Sequence, residues 1–208
     1  MDLQAVDAVL LDMDGTLVDS DAAVERAWAQ WAQEYDMDLD KVLAIAHGSP
    51  SDITIRALHP DLDEDAVAAA SARQLDVQYE DLSDVVATSG ASELLITLDR
   101  LALPWAVVTS ADVRLAAARL GAAGLGAPLL ITIEDVAAGK PDPEGYLLAA
   151  RRLAVDPHRC LVVEDAAPGV AAGRAAGASV AGLKGVDADL RISDLGELAA
   201  LLIAARRL

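Results

Sequence analysis

The feature that most constrains the fold is a series of short apolar segments separated by helix-like segments. The first apolar segment, Val6–Leu11, is rich in Val and Leu and does not alternate with polar residues, which is typical of strands buried on both faces of a parallel sheet. Four similar segments follow: Pro104–Val108, Leu129–Ile133, Cys160–Val163 and Ser179–Gly182. Helices are predicted near residues 90–102, 112–122, 144–154, 167–176 and 195–206. Alternating strands and helices predict an α/β fold with a doubly wound parallel sheet.

Residues 18–86 interrupt this alternation. Asp19, Ser20 and Asp21 offer N-capping side chains, and apolar residues recur at helical spacing from Val24 to Tyr35. Further helices are predicted near residues 39–46, 51–58 and 63–80, and no strand is predicted between residues 20 and 85. We therefore expect an all-helical domain at 18–86, inserted into an α/β core made of residues 1–17 and 87–208. The connections near 16–20 and 83–90 would be hinges.

Polar side chains follow the predicted strands at the points where those strands end. Carboxylates, hydroxyls and a lysine occupy these places: Asp12 and Asp14, Thr109 and Ser110, Lys140 in G-K-P-D-P, and Glu164 with Asp165. Ligands of open parallel sheets bind outside the carboxyl ends of the strands. The pattern predicts that these groups meet at one edge of the sheet.

Such a collection of carboxylates is costly without a cation. Two unit charges about 4 Å apart repel by roughly 4 kcal/mol at an effective dielectric constant near 20. An oxygen-rich site without His or Cys suits Mg²⁺, which takes one or two carboxylates together with a substrate phosphate. Lys140 would add a second positive charge as a phosphate partner. The residues together predict metal-assisted phosphoryl transfer.

Four motifs stand in order between residues 9 and 170: D-M-D-G-T-L-V-D-S, V-V-T-S, G-K-P-D-P and V-E-D-A-A-P-G-V. In these motifs the chain resembles the haloacid dehalogenase superfamily, in the phosphatase branch with a helical cap inserted after the first strand. The resemblance implies a Rossmann-like core and a Mg²⁺-dependent phosphomonoester hydrolase that works through an aspartyl-phosphate.

The resemblance also implies roles for the acidic residues. Asp12 would be the nucleophile and a metal ligand. Asp14 would protonate the leaving oxygen and later activate water, while its backbone carbonyl helps to hold Mg²⁺. Asp165 would be the second metal-ligating carboxylate, with Glu164 in the outer environment of the metal. A charge at a helix N-terminus is the alternative for Glu164.

The phosphate would be held by the remaining motif residues. By resemblance, Thr109 would bind it through its hydroxyl, Ser110 through its backbone N–H, and Lys140 would balance the charge of nucleophile and phosphate. Gly15 and Thr16 would shape the turn after the nucleophile.

The predicted cap resembles that of sugar- and polyol-phosphate phosphatases in V-E-R-A-W-A-Q-W-A and in the His-Gly pair. His47 and Gly48 would then face the catalytic centre and select the substrate; a packing role for His47 is the alternative. Trp28 and Trp31 fit either the cap core or a substrate platform. Ser49-Pro50 stands where relatives commonly have a basic residue.

Composition excludes several partners. The net charge of −18 argues against nucleic acid and anionic membranes, and residues 18–86 carry 16 acidic against 4 basic residues. Cys160 is the only cysteine, and neither a signal peptide nor a spanning segment is predicted, so we expect a cytoplasmic protein. The sequence leaves the oligomeric state open.

Two alternatives to a phosphatase remain at this point. A phosphoglucomutase-like phosphoryl transferase would be expected to carry a histidine twelve residues after the nucleophile, where this chain has Val24. A catalytically inactive protein that binds a phosphorylated ligand is the other. In each case the expected partner is a small phosphorylated metabolite.

Overall fold

A computed structural model of the chain describes residues 1–46 and 50–206. Contacts along the backbone divide the protein into two compact units. The sheet unit consists of Met1–Asp19 and Val86–Leu208, and the helical unit is Ser20–Val85.

The elements alternate as expected for an α/β chain with a helical insertion. The first half contains β1 (Ala8–Leu11), β2 (Val18–Asp19), α1 (Asp21–Glu34), α2 (Leu39–Ala46), α3 (Ser51–Leu58), α4 (Glu64–Gln78), β3 (Val86–Ala87) and α5 (Ala91–Arg100). The second half contains β4 (Trp105–Val108), α6 (Val113–Ala122), β5 (Leu130–Ile131), α7 (Glu144–Arg152), β6 (Cys160–Glu164), α8 (Ala167–Ala175), β7 (Ser179–Gly182), β8 (Leu190–Arg191) and α9 (Leu195–Arg206). Short 3₁₀ turns lie at Leu3–Ala5, Ile133–Asp135 and Pro157–Arg159.

Six parallel strands form the sheet in the order β5-β4-β1-β6-β7-β8. The central strand β1 pairs with β4 on one side and with β6 on the other, and Leu11 lies opposite both Val107 and Val163. All residues of β1, β4 and β6 are buried, as expected for their apolar sequences, and the buried set includes Glu164 at the end of β6. The predicted doubly wound parallel sheet is confirmed.

Side chains on one face of the sheet form a continuous core with α7 and α8. Leu10 from β1, Val162 from β6 and Val180 from β7 pack with Tyr146 and Ala172 in this cluster. Successive residues of a strand point to opposite faces, so Leu10 shares this cluster with Ala8 rather than with Val9. Tyr146 belongs to this core and also reaches Glu164 at the end of β6.

The helical unit has its own core. Trp28 and Trp31 are buried in it, with their rings edge to face at a centroid distance of 5.4 Å. Trp31 stacks on Tyr35 at 4.4 Å and donates a hydrogen bond from Nε1 to the carbonyl of Ala70. Of the two interpretations of the tryptophans, core packing is therefore correct.

The ends of the predicted strands agree with the structure to within two residues, and three short strands were not predicted. Cys160–Glu164 is one residue longer than expected, while Leu130–Ile131 is shorter than the apolar segment at 129–133. The antiparallel pair β2–β3 and the edge strand β8 have two residues each, too short to give a periodic signal. None of the helices among the described residues has the length and apolar character needed to cross a membrane.

Candidate active site

Strand pairing places the predicted polar residues at one edge of the sheet. Asp12 directly follows β1, and its backbone N–H donates to the carbonyl of Val163, which continues the pairing with β6. Thr109 follows β4 in the same way and donates from its backbone to Ile131. Because β4, β1 and β6 are neighbours, Thr109, Asp12 and Glu164 lie at the ends of three adjacent strands.

Lys140 joins two of the carboxylates. Its Nζ lies 2.5 Å from Asp12 Oδ1 and 2.6 Å from Glu164 Oε1, and its side chain is only 12% exposed. Charge-assisted hydrogen bonds of this kind are about twice as strong as neutral ones. The lysine, predicted from the G-K-P-D-P motif, is thus a partly buried cation between two buried carboxylates.

Tyr146 completes this arrangement, and the sequence analysis did not identify it. The tyrosine is buried on α7 and donates its hydroxyl hydrogen to Glu164 Oε1 at 2.6 Å. Lys140 Nζ lies 5.3 Å from the centre of its ring, within range of a cation–π interaction. A signal was present, because Tyr146 follows G-K-P-D-P by three residues and a buried tyrosine usually has a hydrogen-bond partner.

The electrostatics of the cluster favour a cation. Burial raises the pKa of Asp12 well above its usual range; Glu164 and Asp165 add to the rise, and Lys140 opposes it. Burial alone would lower the pKa of Lys140, but Asp12 and Glu164 outweigh it and the pKa is raised well above its usual range. The charge of Lys140 therefore does not fully offset the burial and the neighbouring carboxylates at Asp12.

Asp12, Glu164 and Asp165 form a group that could hold a metal ion. Each offers a carboxylate oxygen, and these oxygens lie within 4.8 Å of one another. All of the donors are hard oxygens, which suits Mg²⁺, and a divalent charge would stabilise the ionised form of Asp12. The donor set therefore fits the cation that the sequence predicted. The side chain of Asp14, whose predicted metal contact is through its backbone carbonyl, is outside this group.

Glu164 does not lie at a helix N-terminus, which was the alternative role for this residue. It is the last residue of β6 and is 1% exposed, whereas α8 begins at Ala167. Its carboxylate accepts hydrogen bonds from Lys140 and Tyr146. Glu164 is thus part of the buried cluster.

Two glycines bring the backbone close to the acidic residues. Gly15 has φ +78°, and a Cβ atom there would lie 2.0 Å from Asp165 Oδ2. At Gly169, in the first turn of α8, a Cβ atom would lie 1.7 Å from Glu164 Oε1. Neither position has room for a side chain.

Asp14 is held by a residue that the sequence analysis missed. Arg119, on α6, is buried, and its Nη1 lies 2.8 Å from Asp14 Oδ1. The sequence signal would have been an arginine on the apolar side of a helix, since Leu115, Ala116 and Leu120 are the other buried residues of α6. Asp14 itself is 30% exposed at its side chain.

Thr109 and Ser110 line a small pocket beside the cluster. Lys140 and Tyr146 contribute to the same pocket. The Thr109 hydroxyl accepts a hydrogen bond from the backbone N–H of Ala111 at 3.1 Å, whereas Ser110 is exposed. Thr109, Ser110 and Lys140 thus lie around the same small pocket, and Lys140 also contacts Asp12.

His47 and Gly48, the residues predicted to select the substrate, lie outside the described residues, as does Ser49.

A parallel sheet with carboxylates and a lysine at its carboxyl edge has the arrangement of an α/β enzyme. The sequence matches the family described as haloacid dehalogenase-like hydrolases over residues 6–177, and the chain belongs to this family.

Relatives and solved structures agree with this assignment. Hexitol phosphatase A of Escherichia coli (strain K12) is 42% identical over 82% of this chain and 80% of its own length. The 2-deoxyglucose-6-phosphate phosphatase 1 of Saccharomyces cerevisiae is 34% identical over 86% of this chain and 80% of its own. The crystal structure of a hydrolase from Pseudomonas syringae has a TM-score of 0.83 at 26% identity and covers 95% of this chain and 98% of that one. The prediction of a haloacid dehalogenase-type hydrolase of the phosphatase branch is confirmed.

Proposed function

We propose that the protein is a Mg²⁺-dependent phosphomonoesterase that acts through an aspartyl-phosphate on a small phosphorylated sugar or polyol. The observation that supports this most directly is the position of Asp12, held by Lys140 beside the carboxylates of Glu164 and Asp165. The substrate class is supported by the names of relatives that cover most of the chain, a hexitol phosphatase and a 2-deoxyglucose-6-phosphate phosphatase.

In the first step, a carboxylate oxygen of Asp12 would attack phosphorus, and the bond between phosphorus and the ester oxygen would break. Asp14 would donate a proton to the departing alkoxide. The Thr109 hydroxyl, the Ser110 backbone N–H and the Lys140 ammonium group would hold the phosphoryl oxygens.

In the second step, Asp14, now ionised, would accept a proton from water as that water attacks the aspartyl-phosphate. The bond between phosphorus and the Asp12 oxygen would break, inorganic phosphate would leave and the Asp12 carboxylate would be restored. Mg²⁺, held by Asp12, Asp165 and the backbone carbonyl of Asp14 with Glu164 nearby, would supply positive charge to the carboxylates and the phosphoryl group.

The test is phosphate release from a panel that includes sorbitol 6-phosphate, 2-deoxyglucose 6-phosphate, glycerol 1-phosphate and p-nitrophenyl phosphate. We expect turnover with Mg²⁺ and its loss with EDTA. Asp12→Asn should abolish turnover, and acid quenching of wild type with ³²P-labelled substrate should trap label on the protein. The exposed carboxylate variant Asp61→Asn serves as the control and should keep wild-type activity.

Activity that survives in Asp12→Asn would overturn the covalent mechanism. Isomerisation of a sugar phosphate without net release of phosphate would favour the phosphoryl transferase. Tight binding of the panel without turnover would favour a binding protein.

A further inference from the structure

Arg119 brings a buried positive charge to the residue that the proposed reaction uses for proton transfer. Its side chain is 4% exposed and its Nη1 lies 2.8 Å from Asp14 Oδ1. A buried guanidinium group needs an ionic partner, and removal of one member of such a pair is strongly destabilising. Asp14 Oδ1 faces this group in the structure, and in the step where Asp14 acts as an acid its proton would be carried on the other carboxylate oxygen, Oδ2.

The backbone and the side chain of Asp14 are held by different contacts. A turn fixes its backbone: the N–H of Gly15 donates to the carbonyl of Val18 at 2.7 Å, and the N–H of Leu17 donates to that of Met13 at 2.8 Å. These bonds do not determine the rotation of the side chain about Cα–Cβ. Arg119 restricts this rotation, because its planar guanidinium group has hydrogens in fixed directions.

The position of α6 makes this contact relevant to catalysis. The helix begins at Val113, three residues after Ser110, so one segment carries both the proposed phosphate-binding groups of Thr109 and Ser110 and Arg119. The ion pair thereby ties the segment after β4 to the turn after β1.

We propose that Arg119 is a positioning residue that orients the Asp14 carboxylate for proton transfer to the leaving oxygen. The proposal rests on the proposed function and adds a residue to it. Arg119 acts through Asp14 and does not itself contact the substrate.

The identity of the leaving group provides a test that a purely structural role would not satisfy. An alkoxide such as that of sorbitol needs a proton as it departs, whereas p-nitrophenolate is a stable anion that needs none. General acid catalysis contributes about 10²–10⁴-fold to rate. The parameter to compare is kcat/KM, which reports the steps through cleavage of the ester bond and is insensitive to the later hydrolysis of the aspartyl-phosphate.

We expect Arg119→Met to lower kcat/KM about 100-fold for sorbitol 6-phosphate and only a few-fold for p-nitrophenyl phosphate. Arg119→Lys, which keeps the charge without the planar geometry, should recover part of the loss. The matched control is Arg151→Met, an exposed arginine near the end of α7, which should leave both values unchanged.

A double-mutant cycle shows whether the effect passes through Asp14. In an Asp14→Asn background, Arg119→Met should cause little further loss with sorbitol 6-phosphate, because the carboxylate to be oriented is absent. Where Arg119→Met does not fold, as judged by circular dichroism, Arg119→Lys and Arg119→Gln carry the same comparison.

Equal losses on both esters, or a loss that adds fully to that of Asp14→Asn, would overturn the proposal. Failure of the wild type to hydrolyse either ester in the presence of Mg²⁺ would instead contradict the proposed function. The two failures are thus distinguishable in one set of assays.

Discussion

Tyr146 and Glu164 are joined by a buried hydrogen bond in which the tyrosine hydroxyl donates to Oε1 at 2.6 Å. The same oxygen accepts from Lys140, so one carboxylate atom has two donors from the segment that begins with G-K-P-D-P. Glu164 thereby fixes the end of β6 to that segment.

Tyr146→Phe should lower the free energy of unfolding by about 1–3 kcal/mol, because it deprives a buried carboxylate of one donor. Urea unfolding measures the change. Tyr35→Phe removes a hydroxyl from a half-buried tyrosine of the helical unit and should cost less. Equal costs for the two variants would show that the bond to Glu164 contributes nothing specific.

Gly169→Ala should destabilise the protein and remove activity, because the added Cβ would lie 1.7 Å from Glu164 Oε1 and displace it from Lys140. Helix propensity alone predicts the opposite, a gain of up to about 1 kcal/mol. The control is Gly121→Ala in α6, where a Cβ atom meets nothing within 4 Å, and we expect that gain there. Thermal unfolding and phosphate release measure both variants; a stabilised, active Gly169→Ala would contradict the packing described.

Lys184→Met should strengthen Mg²⁺ binding, because Lys184 Nζ lies 3.2 Å from Asp165 Oδ2 and competes with a cation for that carboxylate. The Lys184 side chain is 47% exposed, so we expect only about a two- to five-fold decrease in Kd, corresponding to roughly 0.5–1 kcal/mol. Isothermal titration with Mg²⁺ measures it without substrate. Lys41→Met, which removes an exposed lysine of the helical unit, should leave Kd unchanged, and the effect of Lys184→Met should shrink at high salt.

Cys160 should make stability depend on pH above about 9. Burial raises the pKa of its thiol from 9.0 to about 11. Between pH 9 and pH 11 the thiol ionises in the unfolded state but not in the folded state, which lowers the free energy of the unfolded state. The stability of the protein therefore falls as pH rises through this range. Below pH 9 the thiol is protonated in both states and has no effect. The total loss is about 2–3 kcal/mol.

Comparison with Cys160→Ala isolates this contribution, because other groups titrate equally in both proteins. The difference in unfolding free energy between wild type and variant should decrease from pH 9 to pH 11 in urea denaturation. A constant difference would show that the thiol has the same pKa in the folded and unfolded states.

Much of the sheet could be predicted because its strands are buried on both faces. The residues of β1, Ala8–Leu11, are an unbroken apolar run that stops at Asp12, so the run indicates both the strand and the position of its carboxyl end. Val86–Ala87 offers no such signal, since two residues have no periodicity and their pairing with Val18–Asp19 depends on tertiary structure.

The acidic residues of the candidate site could be predicted from the sequence for the same reason, whereas the residues that hold them could not. Asp12 and Glu164 stand at strand ends, where a charge next to an apolar run is conspicuous. Arg119 and Tyr146 lie inside helices, where arginine and tyrosine are ordinary residues. Their importance depends on which carboxylate each one reaches across the fold, and local sequence does not contain that information.

The pairing of Ala8 with Cys160 has a consequence for biosynthesis. As the chain leaves the ribosome, the apolar run of β1 emerges early, but one of its two neighbours, β6, follows only after the whole helical unit and most of the sheet unit. The helical unit is continuous in sequence and has its own core, so it can fold before β6 is available to pair with β1. Asp12, the proposed nucleophile, therefore gains its full set of strand neighbours only after β6 has left the ribosome.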